Sequence, residues 1–191
     1  MYNVHQIWVS GTPSTEIIGY MESVADALGE NDTYTLVADN NFLSHKKGVM
    51  FEGVGSVIAA FQADFPGVTS YWKSLIVEHK SDLLRYYMAS ITERLFYLDC
   101  DCEVLALPEP VSPYPHFAKA TLSGLVVIDH LCFNNSKLGF FKILTQRLVD
   151  FMGSSQFVGQ YGASFKQLNK QLRMQEQAFS TFNNDRVVHH T

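Results

Sequence analysis

From Ser81 to Leu105 the chain reads SDLLRYYMASITERLFYLDCDCEVL, and the period of its apolar residues changes partway through. Leu83, Leu84, Tyr87 and Met88 recur at the spacing of one helix face. Leu95-Phe96-Tyr97-Leu98 then forms a short apolar run of the kind that buried strands carry. The strand delivers Asp99, Cys100, Asp101, Cys102 and Glu103 at its C-terminal end. Side chains alternate along an extended chain, so Asp99 and Asp101, two apart, are expected on one face. Two hard oxygen donors together suit Mg²⁺ or Mn²⁺, which leave coordination positions for substrate phosphates. Asp82 and Arg85, three apart on the preceding helix, also share a face. The stretch predicts a metal and nucleotide-diphosphate site at a strand end.

The start of the chain supplies the sheet for that strand. Val4 to Val9 reads as a first strand, and Pro13 suits the first helical position behind a Thr12 cap. Ile17, Ile18, Met21, Val24, Ala25 and Leu28 mark one apolar helix face that Gly29 ends. Tyr34 to Ala38 is a second strand, followed by Asp39. Strand, helix and strand in this spacing imply a βαβ unit, whose ligands bind beyond the carboxyl ends of the strands. Trp8, Asp39 and Asp99 would all reach that edge. Farther on, a helix around Val57 to Phe61 stops at Pro66-Gly67, and another starts near Tyr71-Trp72. Pro108 and Pro110 open a loop, Leu122 to Ile128 reads as a buried strand, and Asn134-Asn135-Ser136 cap a helix from Lys137. Leu138, Phe141, Leu144, Leu148 and Met152 give that helix its buried face, and a last helix begins at Phe165. The expected class is α/β, one domain over 1–191, with a mixed, mostly parallel sheet flanked by helices.

Composition narrows the partners. A net charge of −5 and no basic run longer than Lys46-Lys47 disfavour a nucleic-acid surface. Three cysteines, an odd number, form no secreted disulfide framework. No signal pattern opens the chain and no apolar run is long enough to span a bilayer, so a soluble, cytoplasmic protein is expected. A phosphate-binding G-x-x-x-x-G-K-[ST] loop, a dinucleotide-binding glycine turn and a G-x-S-x-G elbow are all absent.

Ser81-Asp82, Arg85 and Tyr97-Leu98-Asp99-Cys100-Asp101 together resemble the S-D-x-x-R … Y-x-D-x-D core of the DXD-containing sugar transferases. That group includes yeast-type initiating mannosyltransferases, bacterial capsule and polysaccharide transferases, and the glucosylating domains of large clostridial toxins. His5-Gln6-Ile7-Trp8-Val9 is similar to the I-H-x-I-W start of the same group. One departure stands out: the family usually has Gly-Gly just before the tyrosine-bearing strand, where Arg94-Leu95-Phe96 stands here. The turn into the strand is therefore expected to be built differently.

The resemblance implies a GT-A-like (Rossmann-like) domain and a metal-dependent, retaining glycosyltransferase with a UDP- or GDP-sugar donor. Its acceptor would be a glycan, a lipid-linked glycan or a protein. The implied catalytic residues are Asp99, Asp101 and Arg85. Trp8 would stack on the base between Ile7 and Val9. Asp82 would meet the nucleoside and Arg85 the phosphates, with Asp39, Tyr97, Asp99, Cys100 and Asn135 completing the donor site. Asp99 and Asp101, joined by His189 or His190 at the chain's end, would hold Mn²⁺ or Mg²⁺. Plainer readings stand beside these: Trp8 as core packing, Asp82–Arg85 as an exposed ion pair of little worth, and Asn135 as a helix cap. Two other functions also fit the acidic turn. One is a phosphohydrolase or nucleotidyltransferase using Asp99 and Asp101. The other is a degenerate nucleotide-sugar-binding domain without catalysis.

Overall fold

Period-two alternation in the central strands sorts the core into two layers. The computed structural model describes residues 2–9, 11–107, 116–120, 126–132, 138–157, 180–181 and 187–189; for 116–120, 126–132, 138, 180–181 and 187–189 only the backbone is described. Asn3–Ile7 (β1), Thr33–Ala38 (β2), Val49–Gly53 (β3) and Leu95–Leu98 (β4) run parallel in the order β3-β2-β1-β4. On β2, Tyr34, Leu36 and Ala38 enter one layer and Val37 the other; on β4, Phe96 and Leu98 part from Leu95 and Tyr97 in the same way. Met21 and Val24 of helix α1 (Thr15–Asp26) close the first layer. Helices α2 (Val54–Asp64), α3 (Val77–Ile91) and α4 (Leu138–Met152) close the second. Covered on both faces, β4 reads as a continuous apolar run, as parallel strands in such sheets do, and β2 is buried from Tyr34 to Ala38.

Cys102–Val104 (β5) leaves this sheet. It pairs antiparallel with a strand from the other end of the chain, and its Val104 N–H donates to the Ser23 hydroxyl of α1 at 2.9 Å. Beyond β4 the main sheet continues through Val126–Cys132 (β7), His116–Ala120 (β6) and Ser180–Thr181 (β8). β7 is antiparallel to β4 and to β6, and β8 is parallel to β6. The expected α/β class with a mixed, largely parallel sheet is what forms.

Element bounds shift where local chemistry competes. Ser14, not Thr12, caps α1: its hydroxyl accepts the Ile17 N–H at 3.2 Å, and Pro13 lies outside the helix. Trp72–Ser74 is a 3₁₀ turn and Leu75–Ile76 are extended, so the helix expected near Tyr71 begins at Val77. The apolar spacing there reflects burial of Trp72 and Leu75 rather than helical period. β3 has no buried run to announce it, because Met50 and Phe51 are exposed at the sheet's edge. β7 extends past Ile128 to Cys132 because its pairing with β4 continues through His130 and Leu131. The expected buried face of α4 holds at Phe141, Leu144, Leu148 and Met152. The Asn134–Ser136 cap and the helix from Phe165 lie outside the described residues.

The turn into β4 forms without the family's Gly-Gly by placing a non-glycine residue in a conformation that glycine favours. Arg94 has φ +54°, the left-handed region that glycine enters without cost, and its carbonyl accepts the Asn3 N–H at 3.1 Å. A side chain in that region costs roughly 1–2 kcal/mol. Arg94→Gly should therefore stabilise the protein by about 1 kcal/mol once the greater freedom of glycine in the unfolded chain is subtracted. Urea denaturation checks this, and a destabilised variant would mean that Arg94 makes a compensating contact.

Candidate active site at the carboxyl edge of the sheet

β1, β2 and β4 are parallel neighbours, so their carboxyl ends meet at one edge, with Trp8, Asp39 and Asp99 just beyond them. After Leu98 the chain abandons extended geometry. The Cys102 N–H donates to the Asp99 carbonyl at 3.1 Å, closing a four-residue turn over Asp99–Cys102. Strand alternation therefore does not set the two aspartates, contrary to the expectation from spacing. The turn does.

The Asp99 side chain is held from the α3 face. Its Oδ1 lies 2.8 Å from Arg85 Nη2 and accepts the Tyr97 hydroxyl at 2.8 Å. The same guanidinium is 3.5 Å from Asp82 Oδ1 and sits 4.8 Å above the Tyr97 ring. The Arg85 and Asp82 side chains are only 7% and 14% exposed, so the surface ion-pair reading fails; this is a buried charge network. Burial alone would weaken the Arg85 charge. Asp99, then Tyr97 and Asp82, outweigh it and hold the guanidinium well above its ordinary pKa. Burial likewise pushes the Tyr97 hydroxyl well up, against Arg85 but with Asp99, so it stays a neutral donor to the carboxylate.

The cysteines of the acidic turn face away from the site. Cys100 is buried with its Sγ 3.5 Å from the Ile7 carbonyl, and Cys102 is fully buried. Burial, then Asp99 and Asp101, raise the Cys100 thiol well above its ordinary pKa. Because the thiolate is the nucleophile, native protein in a Cys132→Ser background should resist iodoacetamide from pH 7 to 9 and react fully only once unfolded. Mass spectrometry reads the outcome, and rapid native labelling at Cys100 would contradict its inward packing.

The remaining expected site residues are placed unevenly. Trp8 is half-buried against the α1 layer, with its Nε1 donating to the Gly11 carbonyl at 3.0 Å. Ile7 is core, Val9 is partly buried against the opposite layer, and Asp39 is exposed. Asn135 and His190 lie outside the described residues. The backbone of His189 belongs to Val187–His189 (β9), which pairs with β5 so that His189 stands opposite Cys102, one residue from Asp101. Strand pairing thus brings the backbone of Val187–His189 beside the acidic turn.

Sequence reasoning missed Gln6, Tyr34 and Tyr86. Gln6 is fully buried, and its Nε2 donates to the Asp99 carbonyl at 3.0 Å. Tyr34 donates to Gln6 Oε1 at 2.5 Å. The Tyr86 hydroxyl, buried beside Asp82, has no hydrogen-bond partner among the described residues. The available signal was slight, since Gln6 stands beside His5 in a strand that already mixes polar and apolar residues.

Among the described residues no three His, Cys, Asp or Glu side chains converge as a metal cluster. Asp99 and Asp101 offer hard oxygens, and the Cys100 and Cys102 thiols are withdrawn into the core. That donor set fits Mg²⁺ or Mn²⁺ sharing its shell with phosphate oxygens and water. It does not fit a thiolate-bound metal. No helix among the described residues is long and apolar enough to cross a membrane.

No family model matches the chain, and no curated protein matches it in sequence. Solved structures do. The PaToxG glycosyltransferase superposes with TM-score 0.63 at 14% identity, over 91% of this chain and 69% of that one. The glycosyltransferase GlyE of Streptococcus pneumoniae TIGR4 gives TM-score 0.58 at 15% identity, over 96% of this chain but 45% of its own length. Mouse xyloside xylosyltransferase 1 gives 0.57 at 10% identity, over 96% and 85%. At such identities the likeness is one of architecture: the chain has the GT-A-like fold of these glycosyltransferases, four parallel strands flanked by helices.

Proposed function

We propose that the protein is a glycosyltransferase that moves a sugar from a UDP- or GDP-sugar to a glycan, lipid-linked or protein acceptor, using Mn²⁺ or Mg²⁺. The observation that carries this reading is the Asp82–Arg85–Asp99 network behind the Asp99–Cys102 turn, in a fold shared with glycosyltransferases. Breaking the anomeric C–O bond leaves negative charge on the departing diphosphate. A divalent cation bound there would neutralise that charge. Asp101 and Asp99 would hold it, joined by His189, on the strand that pairs with β5, or by His190. Arg85 adds a fixed positive charge from behind the carboxylates, in a buried setting where such charge acts more strongly than in water. Trp8 would stack on the base, with Asp82, Asp39 and Asn135 nearer the nucleoside and sugar. Retention of anomeric configuration follows from the family likeness. A reducing, cytoplasmic setting belongs to the same proposal, in keeping with three cysteines that form no secreted disulfide framework.

The test is nucleotide release from a panel of UDP- and GDP-sugars with purified protein and Mn²⁺. Nucleoside diphosphate with sugar passed to water or acceptor is expected. Release of monophosphate or pyrophosphate would replace this reading with a phosphohydrolase or nucleotidyltransferase. Binding without turnover would leave a nucleotide-sugar-binding domain.

A further inference from the structure

We propose that Gln6 is a positioning residue that grips the Asp99–Cys102 turn from the face of the sheet opposite Arg85, and so sets where the two aspartates stand. The inference rests on the metal reading of the turn given above.

Alternation along β1 puts Ile7 in the layer under α2, α3 and α4, and Val4 in the layer under α1. Gln6 shares the face of Val4. At that depth a leucine or methionine would fill the layer without desolvating an amide, whereas a buried amide is costly unless its hydrogen bonds are made. The bonds made here run in one direction. Tyr34, fully buried, donates its hydroxyl to Gln6 Oε1, which leaves the Nε2 protons toward the Asp99 carbonyl. Burial, and then the neighbouring Cys100, raise the Tyr34 hydroxyl well above its ordinary pKa and keep it a donor. The Asp99 carbonyl therefore accepts twice, from Gln6 and from the Cys102 N–H that closes the turn.

On the other face, Tyr97 and Arg85 hold the carboxylate of the same residue. Asp99 is clamped by its backbone from the α1 side and by its side chain from the α3 side. Two grips on opposite faces restrict both translation and tilt of the turn that carries Asp101.

Two variants test this. Gln6→Met keeps the length and bulk but cannot donate to Asp99. Mn²⁺ binding, read from the free-ion EPR signal with UDP or GDP present, should weaken by about 10–100-fold, the range for losing a partner behind metal ligands. Amide exchange in the 99–104 segment should accelerate at matched global stability. Gln6→Glu supplies the sign. Its neutral carboxyl can donate to the Asp99 carbonyl and its ionised form cannot, so its Mn²⁺ affinity relative to wild type at the same pH should rise as pH falls. It also stands in if Gln6→Met does not fold. Variants that lose stability but keep wild-type Mn²⁺ affinity and turn exchange would reduce Gln6 to core packing and overturn the proposal. A wild-type protein that holds no Mn²⁺ with either nucleotide would overturn the metal reading itself, a result seen before any substitution is made.

Discussion

Arg85→Met should lower stability by about 3 kcal/mol and abolish transfer. Removing one member of a buried ion pair typically costs roughly 3–5 kcal/mol, because the partner is left charged without compensation. The lower end applies here, since the Asp99 side chain keeps 22% exposure. The substitution leaves Asp82 and Asp99 facing one another across the space of the guanidinium and removes the cation stacked on Tyr97. Adding Asp99→Asn should therefore recover at least about 1 kcal/mol, a coupling that only residues in direct contact show. Urea denaturation of the two single variants and the double variant measures the cycle. Strict additivity, or a single-variant loss below about 1 kcal/mol, would mean that the network is worth no more than an exposed pair. Arg85→Lys should rescue stability only in part, because a compact ammonium cannot reproduce the planar stack of the guanidinium on the Tyr97 ring.

Asp101→Asn should separate chemistry from folding. The change is isosteric and lies on a partly exposed turn, so stability should stay within about 0.5 kcal/mol of wild type. Turnover of the preferred UDP- or GDP-sugar should fall at least a hundredfold, the order seen when one preorganised electrostatic contact is removed. In thermal melts, wild type should gain stability from Mn²⁺ with nucleotide diphosphate through binding linkage, and Asp101→Asn should lose most of that gain. If the variant binds metal and nucleotide as tightly as wild type, Asp101 is not a ligand.

Much of this architecture was written in the order of the residues. The helix from Val77 to Ile91 feeding the apolar strand Leu95–Leu98, and the strand–helix–strand start, follow from periods of 3.6 and 2, which are local properties of the chain. The place of the acidic segment at the sheet's carboxyl edge follows from the same reading, since parallel strands bring Trp8, Asp39 and Asp99 to one side.

Tertiary structure decided the rest, because it turned on contacts between residues far apart in the chain. Spacing alone left Asp82 and Arg85 as a surface pair; packing of α3 against β4 buried them and gave Arg85 a second carboxylate in Asp99. Spacing also predicted an extended Asp99–Asp101 pair, where the Cys102 N–H closes a turn instead. The edge strand β3 leaves its apolar Met50 and Phe51 exposed and is held by its ladder with β2. Gln6 read only as one residue of the first strand, and the approach of Asp99 and Tyr34 to its two ends made it part of the site. A one-dimensional pattern records which face a residue occupies, and the partners on that face are chosen when distant segments pack.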